Sequence, residues 1–254
     1  MYVSKPLPLR GTGNTRDLGG YAARSGRITG WRRFLRSDGL HNLTPEDQRA
    51  LWEYGVRLVV DLRTPEEISR QPDRWEACPE LKSLGVPMLD RINSSFFQGR
   101  LPDTMSEMYC SLLDSPSGKE AVRQVFTAFM EAEGGVLYHC TAGKDRTGVI
   151  SMLLLKLAGV PDEAVIADYA ATQGYMEKIF AEQRKALLKA GHSIPDHVLA
   201  SQPEEMARTL SHLTGRYGTV EQYLAGCGLS PTQLCRLRDG WLLAPSAEAA
   251  APAI

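Results

Sequence analysis

The stretch GGVLYHCTAGKDRTGVISMLLLKLAG, residues 134–159, constrains the fold more than any other part of the chain. A short apolar run leads into a polar turn with two glycines, and the turn leads into a long segment that is apolar nearly all round. A helix apolar on every face must be buried, and the short run ahead of it reads as a buried strand. A buried strand feeding a buried helix through a tight turn is half of a β-α-β crossover, which commits the chain to a layered α/β fold.

The neighbouring segments agree. VRLVVDL, residues 56–62, reads as a second buried strand, and LKSLGVPM, residues 81–88, as a weaker one. RITGWRRFLRS, residues 27–37, reads as a strand pair around a glycine turn. LTPEDQRALWEYG predicts a helix with Thr44 as N-cap, Pro45 at its first position, Asp47 three after the cap and Gly55 as its stop. KEAVRQVFTAFMEAE places Val122, Val125, Phe126 and Phe129 on one helical stripe. Gly159 and Pro161 end the apolar helix. From Pro161 to Leu243 no strand signal is visible and helices are expected throughout, with 161–215 as a candidate lid over the core. The expected architecture is α/β, a central mostly parallel sheet flanked by helices with a helical C-terminal part. One domain is read over 1–243, and the small-residue tail 244–254 is expected to be poorly ordered.

Charge narrows the function. The chain carries 29 basic and 30 acidic residues, which argues against a general nucleic-acid binder. The five cysteines are odd in number and form no CxxC pair, so free thiols in a reducing compartment are the simplest reading. The N-terminus has no apolar core of a secretory signal. GVISMLLLKLAGV is interrupted by Lys156 and is too short to span a bilayer. A cytoplasmic protein is expected, with export by a route lacking an N-terminal signature left open.

The turn HCTAGKDRTG, residues 139–148, carries the chemistry. Ligand sites of parallel α/β sheets lie beyond the carboxyl ends of strands. Successive backbone amides of such a loop cradle an anion, and the following helix directs its positive end there. Gly143 permits the tight turn and Arg146 supplies a planar fork for two phosphate oxygens. The same field acts on Cys140. A thiol at a helix N-terminus beside cations has its pKa lowered from ~8.5 into the range ~3.5–7.5, which makes it a nucleophile aimed at phosphorus. A lone cysteine at a strand end is ordinarily a small buried hydrophobe; the arginine six residues on, at a strand-to-helix junction, favours catalysis. A Walker A loop is excluded, because GKDRTG does not supply its pattern.

His139 to Gly148 resembles the signature loop of cysteine-dependent phosphatases, HC-x-x-x-x-x-R followed by Ser or Thr. With NTRDLGGY at 14–21, it resembles the bacterial tyrosine/serine phosphatase family, Thr15 standing where that family usually has an aromatic residue. VVDLRTPEE at 59–67 and YGTVEQYL at 217–224 extend the likeness, which covers about Asn14 to Leu243.

The resemblance implies a phosphatase fold and a set of roles. Cys140 is the nucleophile, Arg146 binds the phosphoryl group, and Thr141, Ala142, Gly143, Lys144, Asp145 and Arg146 supply the amide cradle. Thr147 offers its hydroxyl to the sulfur, and His139 orients the loop. Asn14, Arg16 and Asp17 form a polar strut beside it. The general acid is open among three residues, since no Trp-Pro-Asp triplet occurs. Asp145 lies in the loop, Asp61 ends a strand, and Asp90 lies where dual-specificity relatives carry theirs, in that order of preference. For Asp61 the alternative is a structural partner of an arginine such as Arg63 or Arg36. Lys144 is compatible with phosphoinositides as well as phosphoproteins.

The leading reading is therefore a phosphatase acting on phosphotyrosine, with phosphoserine and phosphothreonine in reach, through a phosphocysteine at Cys140. A phosphoinositide phosphatase is the runner-up, and a phosphate-binding module without catalysis is the reading from another class. Expected partners are a phosphorylated protein or a phosphoinositide as substrate and inorganic phosphate as product. No nucleic acid and no integral membrane segment are expected, and the assembly state is not readable. No cofactor is expected. No metal is expected either, since the histidines at 41, 139, 192, 197 and 212 form no recognisable ligand set.

Overall fold

In the computed structural model, residues 2–88, 102–191 and 195–244 are described. Helix α1, Pro45–Tyr54, starts and stops where its caps require. Thr44 and Asp47 form a reciprocal capping box, and Gly55 closes the helix at φ 111°, a left-handed conformation that costs glycine little. Strand β4, Val56–Asp61, follows at once. Strand β6, Gly135–His139, and helix α5, Arg146–Leu157, are the buried strand and helix expected around the signature turn.

The main sheet contains five strands in the order β1, β3, β6, β4, β5, where β1 is Arg16–Asp17, β3 is Phe34–Ser37 and β5 is Lys82–Gly85. Only the β1–β3 pair is antiparallel; β3–β6, β6–β4 and β4–β5 are parallel. Side chains alternate across it as a pleated strand demands. Leu35, Val59 and Leu137 join Leu51 and Tyr54 of α1 on one face, while Phe34, Val60, Val136 and Tyr138 join the larger core on the other. That larger core is built on α5 and on α4, Pro116–Glu131, whose Val122, Val125, Phe126 and Phe129 are all buried.

The strand pair expected in RITGWRRFLRS is not formed. Both strands exist, but β2, Ile28–Thr29, pairs with β7, Leu242–Leu243, as a separate antiparallel ribbon. All four residues of β3 are buried, and such a strand belongs between two neighbours rather than in an edge hairpin. Strand β7 also corrects the expectation of helix alone beyond Pro161.

The helical part begins with α6, Asp162–Tyr175, and α7, Glu177–Lys189. It continues with α8, Asp196–Leu199, α9, Pro203–Tyr217, α10, Val220–Gly226, and α11, Pro231–Trp241. The sequence pattern gave no warning of α2, Pro65–Arg70, or α3, Met105–Asp114. The span 161–215, expected as a candidate lid, is not uniform in its packing. Helix α6 buries Val165, Asp168, Tyr169 and Thr172, and α9 buries Met206, Thr209, Leu210 and Leu213, so both are core. Helix α7, with Phe180 as its one buried residue, and the short α8, with Val198, lie nearer the surface. The tail 245–254 and Asp90 lie outside the described residues.

Candidate active site

The parallel register brings three strand ends level: Ser37 and Asp61 both align with His139. The loop from Cys140 to Asp145 leaves that edge and enters α5. Gly143 adopts φ 67°, and a Cβ there would stand 2.5 Å from Ser37 O and 2.8 Å from Asn14 Nδ2, so both its conformation and its surroundings call for glycine.

Three successive loop carbonyls are held from the β3 side. Gly39 N donates to Thr141 O at 2.9 Å, Asn14 Nδ2 to Ala142 O at 3.1 Å, and Arg36 to Gly143 O at 2.7 Å. A trans peptide points its N–H opposite to its C=O. The amides of Ala142, Gly143 and Lys144 are thereby turned away from these supports. A row of donors results, without any side chain having to supply charge.

The holding groups are themselves over-determined. Asp168 of α6 lies between Arg16 Nε, at 3.0 Å, and an Arg36 terminal nitrogen; it also accepts from Tyr21 Oη at 2.9 Å. Burial pushes the Asp168 carboxyl up, but the two guanidinium groups more than reverse this and hold it below the ordinary aspartate value. Asn14 and Arg16 thus form the expected strut. Asp17 does not join it. Strand alternation sends its side chain to Gly19 N, Arg32 N and Tyr54 Oη, where burial raises its carboxyl to about 6.

Cys140, Arg146 and Thr147 are all buried, each 2% exposed or less. Arg146 makes a forked pair with Glu67, Nη1 to Oε2 and Nη2 to Oε1, both at 2.7 Å. Glu67 Oε1 also accepts from Thr141 Oγ1 at 2.6 Å. Burial alone would raise the Glu67 carboxyl; the hydrogen bonds and charge of Arg146, with the Thr141 hydroxyl, bring it down to about 2. Sequence reasoning passed over Glu67. Its local signal was a capping box, Thr64 with Glu67 three later, and the same side chain does cap α2. Thr147 Oγ1 is buried and has no hydrogen-bond partner among the described residues.

A family model described as the tyrosine phosphatase family matches residues 7–243. The chain belongs to the tyrosine phosphatase family. It is an enzyme of the protein-tyrosine-phosphatase type. A tyrosine-protein phosphatase of Nostoc commune is 29% identical over 219 residues, covering 81% of this chain and 72% of its own. The triple specificity protein phosphatase PtpB of Mycobacterium tuberculosis is 24% identical over 273 residues, covering 91% of this chain and 96% of its own. The crystal structure of TpbA from P. aeruginosa aligns over 80% of this chain and 91% of its own, at 16% identity and a TM-score of 0.40.

Two other loop residues of the phosphatase have partners the sequence did not suggest. Lys144 is 2% exposed, and its Nζ donates to Val198 O at 2.5 Å and Ala200 O at 3.0 Å, at the end of α8. Asp145 accepts from Tyr109 Oη at 2.5 Å and remains partly exposed.

Asp61 is brought to the strand end but not left open. Arg63 engages both its oxygens, Nε to Oδ1 at 2.9 Å and to Oδ2 at 3.1 Å and Nη2 to Oδ2 at 2.7 Å, and the Arg63 amide adds a fourth bond. The arginine-partner alternative is the one this geometry meets. His139, fully buried, has Nε2 3.0 Å from Asp73 Oδ2 and 3.7 Å from Asp61 Oδ1. Asp61, Asp73 and His139 have ligand-type atoms within 4.8 Å of one another, a grouping that sequence spacing did not flag. The Arg63 guanidinium lies on both carboxylates and supplies the positive charge that such a group would otherwise attract. Among the described residues, no helix is long and apolar enough to cross a membrane.

Proposed function

We propose that this phosphatase hydrolyses phosphotyrosine in proteins, and phosphoserine or phosphothreonine as further substrates, through a phosphocysteine at Cys140. The carrying observation is the row of loop amides turned away from Asn14, Arg36 and Gly39, with Cys140 at its start and Arg146 at its end. The names of the relatives support the substrate class, and the triple specificity of the Mycobacterium protein supports breadth beyond phosphotyrosine.

The chemistry follows from the placement. The Cys140 sulfur attacks phosphorus as the thiolate, the bond from phosphorus to the ester oxygen breaks, and Asp145 gives that oxygen its proton. The amides and Arg146 hold the equatorial oxygens, whose charge they stabilise in the transition state. Glu67 fixes the plane of the Arg146 fork. Asp145, now a carboxylate, takes a proton from water; the water oxygen bonds to phosphorus, the P–S bond breaks, and inorganic phosphate leaves. The Thr147 hydroxyl, which has no hydrogen-bond partner among the described residues, donates to the departing sulfur in this reading. Asp145 is preferred as the acid because Asp61 is spent on Arg63.

The phosphoinositide alternative rested on Lys144 as an additional cation for extra phosphates. Its ammonium is directed at the Val198 and Ala200 carbonyls, so protein substrates are preferred. A covering role belongs to α7 and α8 alone.

Cys140→Ser is the direct test. Turnover of an aryl phosphate should vanish, and the parent enzyme, quenched in acid during turnover, should carry phosphate bound through sulfur. Undiminished turnover in the variant would falsify the covalent route. Comparing phosphotyrosine peptides with phosphoinositide vesicles tests the substrate class; a large excess of lipid turnover reverses the preference for protein.

A further inference from the structure

Asp145 occupies the N-cap of α5, where an aspartate ordinarily accepts from the first-turn amides. Its side chain makes no such bond. Oδ1 is taken instead by the Tyr109 hydroxyl at 2.5 Å, with Lys144 Nζ 3.3 Å from the same oxygen. Among the described residues no hydrogen bond reaches Oδ2. A residue that forgoes its local partner for one on another helix marks a place where function overrides local preference.

Tyr109, on α3, is backed by Tyr169, on α6. Their rings meet edge to face with centroids 5.9 Å apart, and their hydroxyls are 2.7 Å apart. Each phenol has one proton to give. Tyr109 gives its proton to Asp145, so the proton between the phenols comes from Tyr169, and the chain of donors runs one way toward the loop. Burial first, and then the charge of Asp145, raise both phenols far above the ordinary tyrosine value. Both stay protonated at any working pH.

We propose that Tyr109 is a positioning residue for Asp145: it fixes Oδ1 as the accepting oxygen and leaves Oδ2 to carry the proton to and from the reaction. Tyr169 acts through Tyr109 by polarising its hydroxyl. The proposal rests on Asp145 being the general acid. A protonated carboxyl has one oxygen that donates and one that only accepts, and a donor anchored at Oδ1 decides which is which. The other charged groups facing the Tyr109–Tyr169 pair are Lys144 from the loop, Arg36 from β3 and Glu205 from α9, the last engaged by the Ser106 amide at 2.6 Å.

The test is kcat against pH on an alkyl phosphate, with an activated aryl phosphate as control, for Tyr109→Phe, Tyr169→Phe, Asp145→Asn and the double variant Tyr109→Phe/Asp145→Asn. Tyr109→Phe should slow the alkyl phosphate about tenfold, a fraction of what a general acid supplies. It should also move the basic limb to higher pH, because the carboxylate loses a donor. The aryl rate and inhibition by inorganic phosphate should change by less than about twofold, since a leaving group that needs no proton does not use the acid. Tyr169→Phe should move the same readouts in the same direction by less. The double variant should be no slower than Asp145→Asn alone.

If Asp145→Asn loses alkyl phosphate turnover while both phenylalanine variants keep the parent profile, the positioning role is overturned and the acid stands. If Asp145→Asn keeps the parent rate, the acid assignment falls and the proposal with it. Thermal unfolding checks each variant; should Tyr109→Phe not fold, the profile of Tyr169→Phe decides.

Discussion

Asp61 ends strand β4 and Asp145 ends the loop that enters α5, and the same side chain has different neighbours in the two places. Asp61 is enclosed and meets a guanidinium with both oxygens, so its charge serves the fold. Asp145 is partly exposed, and one of its oxygens meets the Tyr109 hydroxyl and the Lys144 ammonium while the other has no hydrogen bond among the described residues, which leaves it free for the acid role proposed above. Asp61→Asn should therefore cost stability, about 1–3 kcal/mol for a lost charge-assisted bond, with Arg63 still held by Asp73. Urea unfolding reads the cost. The basic limb of the pH–rate profile should stay where it is, and a shift in that limb would return Asp61 to the list of acids. The motif put Cys140, Arg146 and Asp145 into one turn between a buried strand and a buried helix, and that is where they stand. Glu67 was not legible: its capping box is a local pattern, whereas its pairing with Arg146 spans 79 positions and depends on where β4 and α2 deliver it.

At the scale of elements, what the chain could announce was whatever its own caps and periods encode. Thr44, Asp47 and Gly55 mark α1 at both ends, and the stripe of α4 marks its buried face. Strands of two residues, such as β1, β2 and β7, have no period to detect. The partner of β3 depends on the whole sheet. The turn between β6 and α5 shows how closely elements share a load. A Cβ at Gly143 would press on both the Ser37 backbone and the Asn14 amide, so Gly143→Ala must push the loop off its supports. The amides it carries lose their aim, and the inhibition constant for inorganic phosphate should rise at least about tenfold. Global stability should fall by only about 1–3 kcal/mol, the cost of one strained backbone position. An unchanged inhibition constant would mean that this row of donors does not bind the anion.

For the molecule as a whole, Asp168 joins the helical C-terminal part to the sheet by bridging α6 to Arg16 of β1 and Arg36 of β3. Its carboxyl is held below the ordinary aspartate value. Such a group stabilises the fold above its unfolded value, near 3.8, and the contribution is lost as the pH falls through the lower folded value. Asp168→Ala leaves two buried guanidinium groups without their shared anion. It should cost about 3–5 kcal/mol at neutral pH and flatten the acid limb of stability below about pH 4, both measurable from denaturant midpoints across pH. An acid limb as steep as the parent's would show that other carboxylates, such as Glu67, dominate it.

The ribbon of β2 with β7, fastened by Trp241 Nε1 on Gly30 O across 211 positions, has a consequence for biogenesis. A nascent chain emerging from the ribosome presents Ile28 and Thr29 long before Leu242 and Leu243 exist. The clasp can close only after nearly all the intervening chain has been translated, which adds a late, non-local event to maturation. Until then the half-made polypeptide offers chaperones an unmated edge.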